Sequence, residues 1–161
     1  GTAAHGYELD DTHEASSSHP GAVVITAALA VAAECGSNGR DILAAVAAGY
    51  EAMTRIGRAA ISQQVTERGF HATCLFGPFG AAAAAAKLMG LDAEGLARSW
   101  GLALSMVGGS SQFAHEPQGT MVMRMHAGIP AMHGVIARQR EEQAATEERS
   151  ERPGPESLAA R

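Results

Sequence analysis

The sequence predicts an all-α protein, a bundle of closely packed helices, and two observations carry that expectation. Apolar residues make up 46% of the chain but aromatics only 4%, with 19 glycines and a large excess of alanine, a composition suited to helices in near contact and poorly suited to a β sandwich. Apolar residues also recur at three- and four-residue spacing, while strand-type alternation is nearly absent. At 161 residues the chain is the size of one ordinary domain, large enough to bury a core.

The elements follow in order. Ser18 or His19 caps a helix with Pro20 in its first turn, and Gly36-Ser37-Asn38-Gly39 ends it. A second opens near Arg40-Asp41 and keeps Ile42, Leu43, Val46, Ala47, Tyr50, Met53 and Ile56 on one stripe as far as Ser62. Gly77-Pro78-Phe79-Gly80 then leads into a helix over Ala81 to Leu88, stopped at Gly90. Asp92 caps the next, which runs to Met106 before Gly108-Gly109-Ser110-Ser111 closes it. After a loop with Pro117 and Gly119, a last apolar segment covers Ile129 to Ile136. These elements define a helical domain over residues 1–137. From Arg138 to Arg161 there are five arginines, six glutamates and one large apolar residue, Leu158, so residues 138–161 read as a tail that buries no face and frays or is disordered. A departure of the reading frame from what the domain needs is the alternative there.

Several function classes drop out. The net charge of −5 is spread over both signs with no basic block, which argues against a nucleic-acid partner. The longest apolar run, Ala22 to Ala33, contains Thr26 and falls short of the roughly twenty residues a bilayer span needs, so no membrane helix is expected. Gly1-Thr2-Ala3-Ala4-His5 lacks the pattern of a signal peptide and reads like a chain entered midway. Cys35 and Cys74 suggest no disulfide framework, and a reducing, cytoplasmic setting is the default.

Two short irregular stretches hold the candidate chemistry, each upstream of an alanine-rich helix. The first, Gly6-Tyr7-Glu8-Leu9-Asp10-Asp11-Thr12-His13-Glu14, runs on to His19-Pro20-Gly21; the second is Arg68-Gly69-Phe70-His71-Ala72-Thr73. Glu8, Asp10 and Asp11 form either a solvated acidic turn or a site where mutual repulsion raises one carboxyl pKa, as a general acid requires. His19 stands just ahead of a helix start, where free backbone N–H groups attract anions and the positive end favours a neutral imidazole; plain capping is its structural alternative. His71, between flanking glycines, reads equally as a ligand contact or as a structural histidine. His126 and His133 read as structural, because Gly128 and Pro130 interrupt the helix that would align them, and His115-Glu116 carries little. His13, His19 and Asp10 or Asp11 have metal-donor types without metal-site spacing, so no metal is expected. Nucleotide-binding and serine-hydrolase motifs are missing from the sequence, so those two readings fall away.

These residues carry a resemblance. Gly6 to Glu14 with His19-Pro20-Gly21-Ala22-Val23-Val24, the segment Ser37 to Glu51, Arg68-Gly69-Phe70-His71 with Gly77 to Leu91, and Gly119-Thr120-Met121 through His126-Ala127-Gly128 together resemble the MmgE/PrpD family over Gly1 to about Ile136. The resemblance implies a cofactor-independent lyase acting by proton abstraction or elimination on a small di- or tricarboxylate, in a group that includes 2-methylcitrate dehydratase, cis-aconitate decarboxylase and iminodisuccinate epimerase. It implies a helical domain paired with an α+β lid, a dimer, and a site between the two domains. On that basis His19 and His71 are each expected to serve as proton donor or acceptor, and Glu8, Asp10, Asp11 and Thr12 to bind substrate or orient the histidines. Where many relatives have lysine in a Lys-x-x-His-Ala-Gly segment this chain has Met123, and Arg124 beside it supplies the cation only if it points inward. With the lid absent from the sequence, weak or no turnover is expected. The competing readings are a non-catalytic helical protein that oligomerises through its alanine-rich helices, and a subunit completed by a separate lid polypeptide.

Overall fold

The computed structural model describes residues 1–117 and 121–151; Gly119-Thr120 and the end of the charged tail, 152–161, lie outside the described residues. The described residues form an all-α domain of six α-helices: α1 (Pro20–Cys35), α2 (Gly39–Ala59), α3 (Ser62–Glu67), α4 (Ala72–Leu88), α5 (Ala93–Leu104) and α6 (Val122–Glu151). Two 3-10 turns, Glu14–Ser16 and Ser111–His115, precede α1 and α6, and two isolated bridges, His13 to Ser18 and Phe70 to Ser110, pin the loops that carry them. None of the described helices is long and apolar enough to cross a membrane.

Composition explains the layering. α1 and α4 are apolar nearly all round, and they bury Val23, Val24, Ala27, Ala28 and Val31 from one and Phe76 with Ala81 to Ala86 from the other. α4 is the axis, packed against α1, α2, α5 and α6. α2 is amphipathic and turns Ala45, Gly49, Met53 and Gly57 inward. Burial of a Phe, Val or Met side chain is worth roughly 1.5–3 kcal/mol relative to exposure. The helices approach closely because residues without bulk stand at the crossings. A methyl group at Gly134 would lie 2.5 Å from the Pro78 carbonyl oxygen, and one at Gly49 would lie 2.8 Å from that of Gly80.

Helix ends follow local chemistry. Gly36, at a φ of +64°, terminates α1; the Asn38 side chain accepts from the amides of Arg40 and Asp41 to start α2; Asp92 Oδ1 accepts from the Gly95 amide to start α5.

Four expectations need correction. α4 begins at Ala72, nine residues before Ala81, and Pro78 lies inside it. The proline removes one helical hydrogen bond at a cost of about 3 kcal/mol, which burial of Phe76, Pro78 and the alanines offsets. α6 likewise runs unbroken through Gly128 and Pro130, because Pro130 is fully buried and packs on Gly77 of α4. The α2 stripe does not reach Ser62: Ile61, at a φ of +52°, breaks the chain and starts α3. Finally, the first turn of the charged segment does bury a face, since Arg138 and Glu141 are 1% and 5% exposed and the Arg98 Nε on α5 donates to Glu141 Oε1 at 2.5 Å.

Candidate active site

Both candidate histidines occupy the same kind of position. His19 is the N-cap residue of α1 and His71 that of α4, and neither imidazole caps its helix. Backbone at both positions is non-helical, with φ −110° and ψ 79° at His19 and φ −85° and ψ 113° at His71. The two helix starts are tied by the His19 amide, which donates to Thr73 Oγ1 at 3.0 Å, and the His71 amide donates to the Gly109 carbonyl at 2.9 Å. The rings therefore enter one cluster from separate helices.

The acidic turn supports the first ring. His19 Nδ1 lies 2.9 Å from the Asp11 carbonyl oxygen, 3.3 Å from Thr12 Oγ1 and 3.7 Å from Asp10 Oδ2. A carbonyl only accepts, so the neutral ring carries its proton on Nδ1 and leaves a lone pair on Nε2, the form a general base needs. Asp11 is itself fixed: Oδ1 accepts from the Gly21 amide at 2.9 Å, and Oδ2 accepts from the Tyr50 hydroxyl at 2.8 Å. The anion expected at the start of α1 is thus the protein's own Asp11. Burial, reinforced by Asp11, pushes the Tyr50 hydroxyl pKa upward, so Tyr50 stays a donor.

The second ring is driier and more crowded. His71 Nδ1 meets His126 Nδ1 at 3.1 Å, and Phe113 stands edge-on to both rings at centroid distances of 5.3 Å. Burial first, then the neighbouring charges of His126, His5 and His19, pull the His71 pKa from 6.5 down to about 4. Burial, then His5, lowers that of His126. Both are neutral imidazoles near pH 7, and in their shared contact one Nδ1 donates and the other accepts. Cys74, in the first turn of α4, is buried, which pushes its thiol up to about 11, so it is not a nucleophile at neutral pH.

His5 joins the two halves. Its ring centroid is 5.2 Å from that of His19 and 6.4 Å from that of His71, and its Nδ1 lies 2.5 Å from Asp10 Oδ2. The N-terminal turn reaches this place because Gly128 of α6, two residues after His126, has no side chain to displace Thr2. A cleft of about 430 Å³ opens beside the acidic turn, lined by Ala4, Tyr7, Leu9, Asp10, Asp11 and Tyr50 among others.

Of the residues singled out in the sequence, His19, His71, Asp10, Asp11 and Thr12 come together. Glu8 does not: it is exposed at a φ of +54°, and among the described residues no hydrogen bond joins it to the cluster. Arg124 is exposed, with Nη1 against Met121 Sδ, and two residues from His126 means about 200° around the helix. It stands on the far side of α6 from the imidazoles. Sequence reasoning missed His5, which resembled a chain end; Tyr50, which looked like a core stripe residue; and His126, discounted over Pro130. The signal was present in the His-Ala-Gly and Gly-Tyr-Glu segments that carried the resemblance. Among the described residues no three His, Cys, Asp or Glu side chains are arranged to hold a metal ion.

The all-helical domain thus gathers four imidazoles, of His5, His19, His71 and His126, and two carboxylates, of Asp10 and Asp11, around paired helix starts. Residues 1–146 match the model of the MmgE/PrpD N-terminal domain, and the chain belongs to the MmgE/PrpD family. It is 33% identical over 144 residues to the cis-aconitate decarboxylase-like protein oryM of Aspergillus oryzae, covering 84% of this chain and 29% of that protein. It is similar also to the cis-aconitate decarboxylases of Aspergillus terreus (32% over 136 residues, 80% and 27% covered) and Homo sapiens (31% over 140 residues, 85% and 28% covered). The chain spans less than a third of the length of these relatives.

Proposed function

We propose that this domain supplies the imidazole half of an active site that moves a proton next to a carboxylate of a small di- or tricarboxylic acid, in a cofactor-independent lyase reaction. The observation that carries the reading is the convergence of His19 and His71 from two helix starts, with the first ring's Nδ1–H committed to Asp11 and the second ring held neutral by burial. In an elimination His19 Nε2 takes the proton from carbon while the His71–His126 pair protonates the leaving hydroxyl, which departs as water; in a decarboxylation CO2 leaves with cleavage of its C–C bond and an imidazole N–H delivers the proton to the carbon that receives the electron pair. Asp10, Asp11 and Thr12 orient the imidazoles. Names of the relatives support cis-aconitate or a close analogue as the acid. Glu8 and Arg124 would contribute only through a rearranged turn or a partner domain, and a lid and a second copy of the chain complete the site in this proposal. By itself the domain binds the acid weakly and turns it over little or not at all.

The test is imidazole NMR of this chain titrated with cis-aconitate. The Cε1–H resonances of His19 and His71 are expected to shift together in a saturable way, and His19→Asn and His71→Asn are expected to weaken that binding while the fold persists. Absence of any saturable shift at millimolar acid, or loss of stability without loss of binding in both variants, would favour the non-catalytic helical protein instead.

A further inference from the structure

His5 is 2% exposed, and its Nε2 has neither solvent nor a hydrogen-bond partner. Buried side-chain nitrogens in that condition are rare, because the lost hydration is not recovered. The other ring nitrogen explains why the side chain is held. An ionised carboxylate only accepts, so the 2.5 Å contact with Asp10 Oδ2 commits the His5 proton to Nδ1 and leaves Nε2 as the open valence. That ring stands between the two halves of the cluster, 5.2 Å from His19 and 6.4 Å from His71. His5 lies behind the wall of the 430 Å³ cleft, which is lined by its chain neighbour Ala4 and its partner Asp10.

Charge points the same way. Carboxylates entering this site need a cation, Met123 supplies none, and Arg124 is on the opposite side of α6. A histidine already backed by a buried carboxylate, whose side chain is 7% exposed, is a cation when protonated and donates at both nitrogens. We propose that His5 is a further substrate-contacting residue: Asp10 holds Nδ1–H, and Nε2, taking up one proton from water as the acid binds, donates it in a hydrogen bond to a carboxylate of the acid. This rests on the function proposed above.

The test separates the two nitrogens of one ring. Asparagine places its amide where Nδ1 stands and has nothing at Nε2, so His5→Asn keeps the bond to Asp10 and removes only the proposed contact. Loss of a charge-assisted hydrogen bond of this kind is expected to weaken cis-aconitate binding about tenfold or more, with thermal stability close to the parent. In the parent chain the His5 Nε2 signal in long-range ¹H–¹⁵N spectra is expected to move on saturation with the acid, a readout that needs no variant. Equal binding by parent and His5→Asn, with an unmoved Nε2 signal, overturns the proposal while leaving the proposed function standing, provided His71→Asn still weakens binding. A parent chain that binds no acid overturns both.

Discussion

The body of α4 and the segment from Gly1 to His19 are held by opposite means. α4 is specified by volume: from Ala72 to Ala86 it is almost entirely buried, small side chains face other helices, and backbones meet at Gly49, Gly80 and Gly134. The N-terminal segment has few buried residues and is specified by polar contacts, His5 to Asp10, Asp11 to Tyr50 and Gly21, and His13 Nδ1 to Ser16 Oγ. A packed scaffold fails when one atom is added; a hydrogen-bonded site fails when one atom is changed. The difference teaches where stability and chemistry can be altered separately.

The largest effect should come from overfilling the scaffold. Gly134→Ala puts a methyl group 2.5 Å from the Pro78 oxygen and 2.7 Å from the Ala82 amide nitrogen, backbone atoms that cannot yield unless α4 and α6 separate. A loss of about 3 kcal/mol is expected in urea unfolding, and an unchanged midpoint would break the comparison on its first side.

Acid comes next. The His71 pKa is lowered from 6.5 to about 4, so the unfolded chain binds a proton that the folded chain refuses between those values. Stability is therefore full above pH 6.5 and falls as pH drops toward 4, by about 2 kcal/mol once the ring's remaining contact with water is allowed for. His126, shifted the same way, adds to the slope. Urea midpoints measured at pH 7 and 4.5 check this, and His71→Asn should flatten the dependence.

A smaller effect, confined to the site, is expected of Tyr50→Phe. The ring stays packed while Asp11 loses a donor, costing about 1 kcal/mol of stability and loosening the carbonyl that fixes the His19 tautomer. The sharper readout is the imidazole NMR, where the His19 Nδ1 and Nε2 shifts should move toward a tautomer mixture; unchanged shifts would mean that Asp11 needs no second anchor. The smallest effect should be a gain. Gly101 lies within α5 with open space where a methyl group would go, so Gly101→Ala is expected to stabilise by about 0.5–1 kcal/mol in the same unfolding assay.

Local signals made much of the fold legible. Pro20 and Gly36 bound α1, and Asp92 caps α5, because those residues act within one turn of themselves. Pro78 and Pro130 misled for the converse reason. Each breaks a local rule, and the packing of α4 on α6 that overrides it joins residues about fifty positions apart. The site was legible where carboxylates and imidazoles crowd an irregular stretch, as at Asp10, Asp11, Thr12 and His19. It was not legible at His5, Tyr50 and His126, whose approach depends on Gly128 and Gly21 leaving room for the N-terminal turn and for Asp11. Arg124 was singled out by adjacency along the chain, whereas on a helix the neighbours of His126 stand three or four residues away.

The contact between His71 and His126 sets a rule of parity. Because two Nδ1 atoms share a single hydrogen, the outer nitrogens can never match in the neutral pair: one is bare while the other is protonated. If the bare one captures a proton, the shared hydrogen can hop across and the far ring can discharge its own. The couple then ends in the mirror image of its starting state, a toggle that resets only by running backward or by one exchange with water.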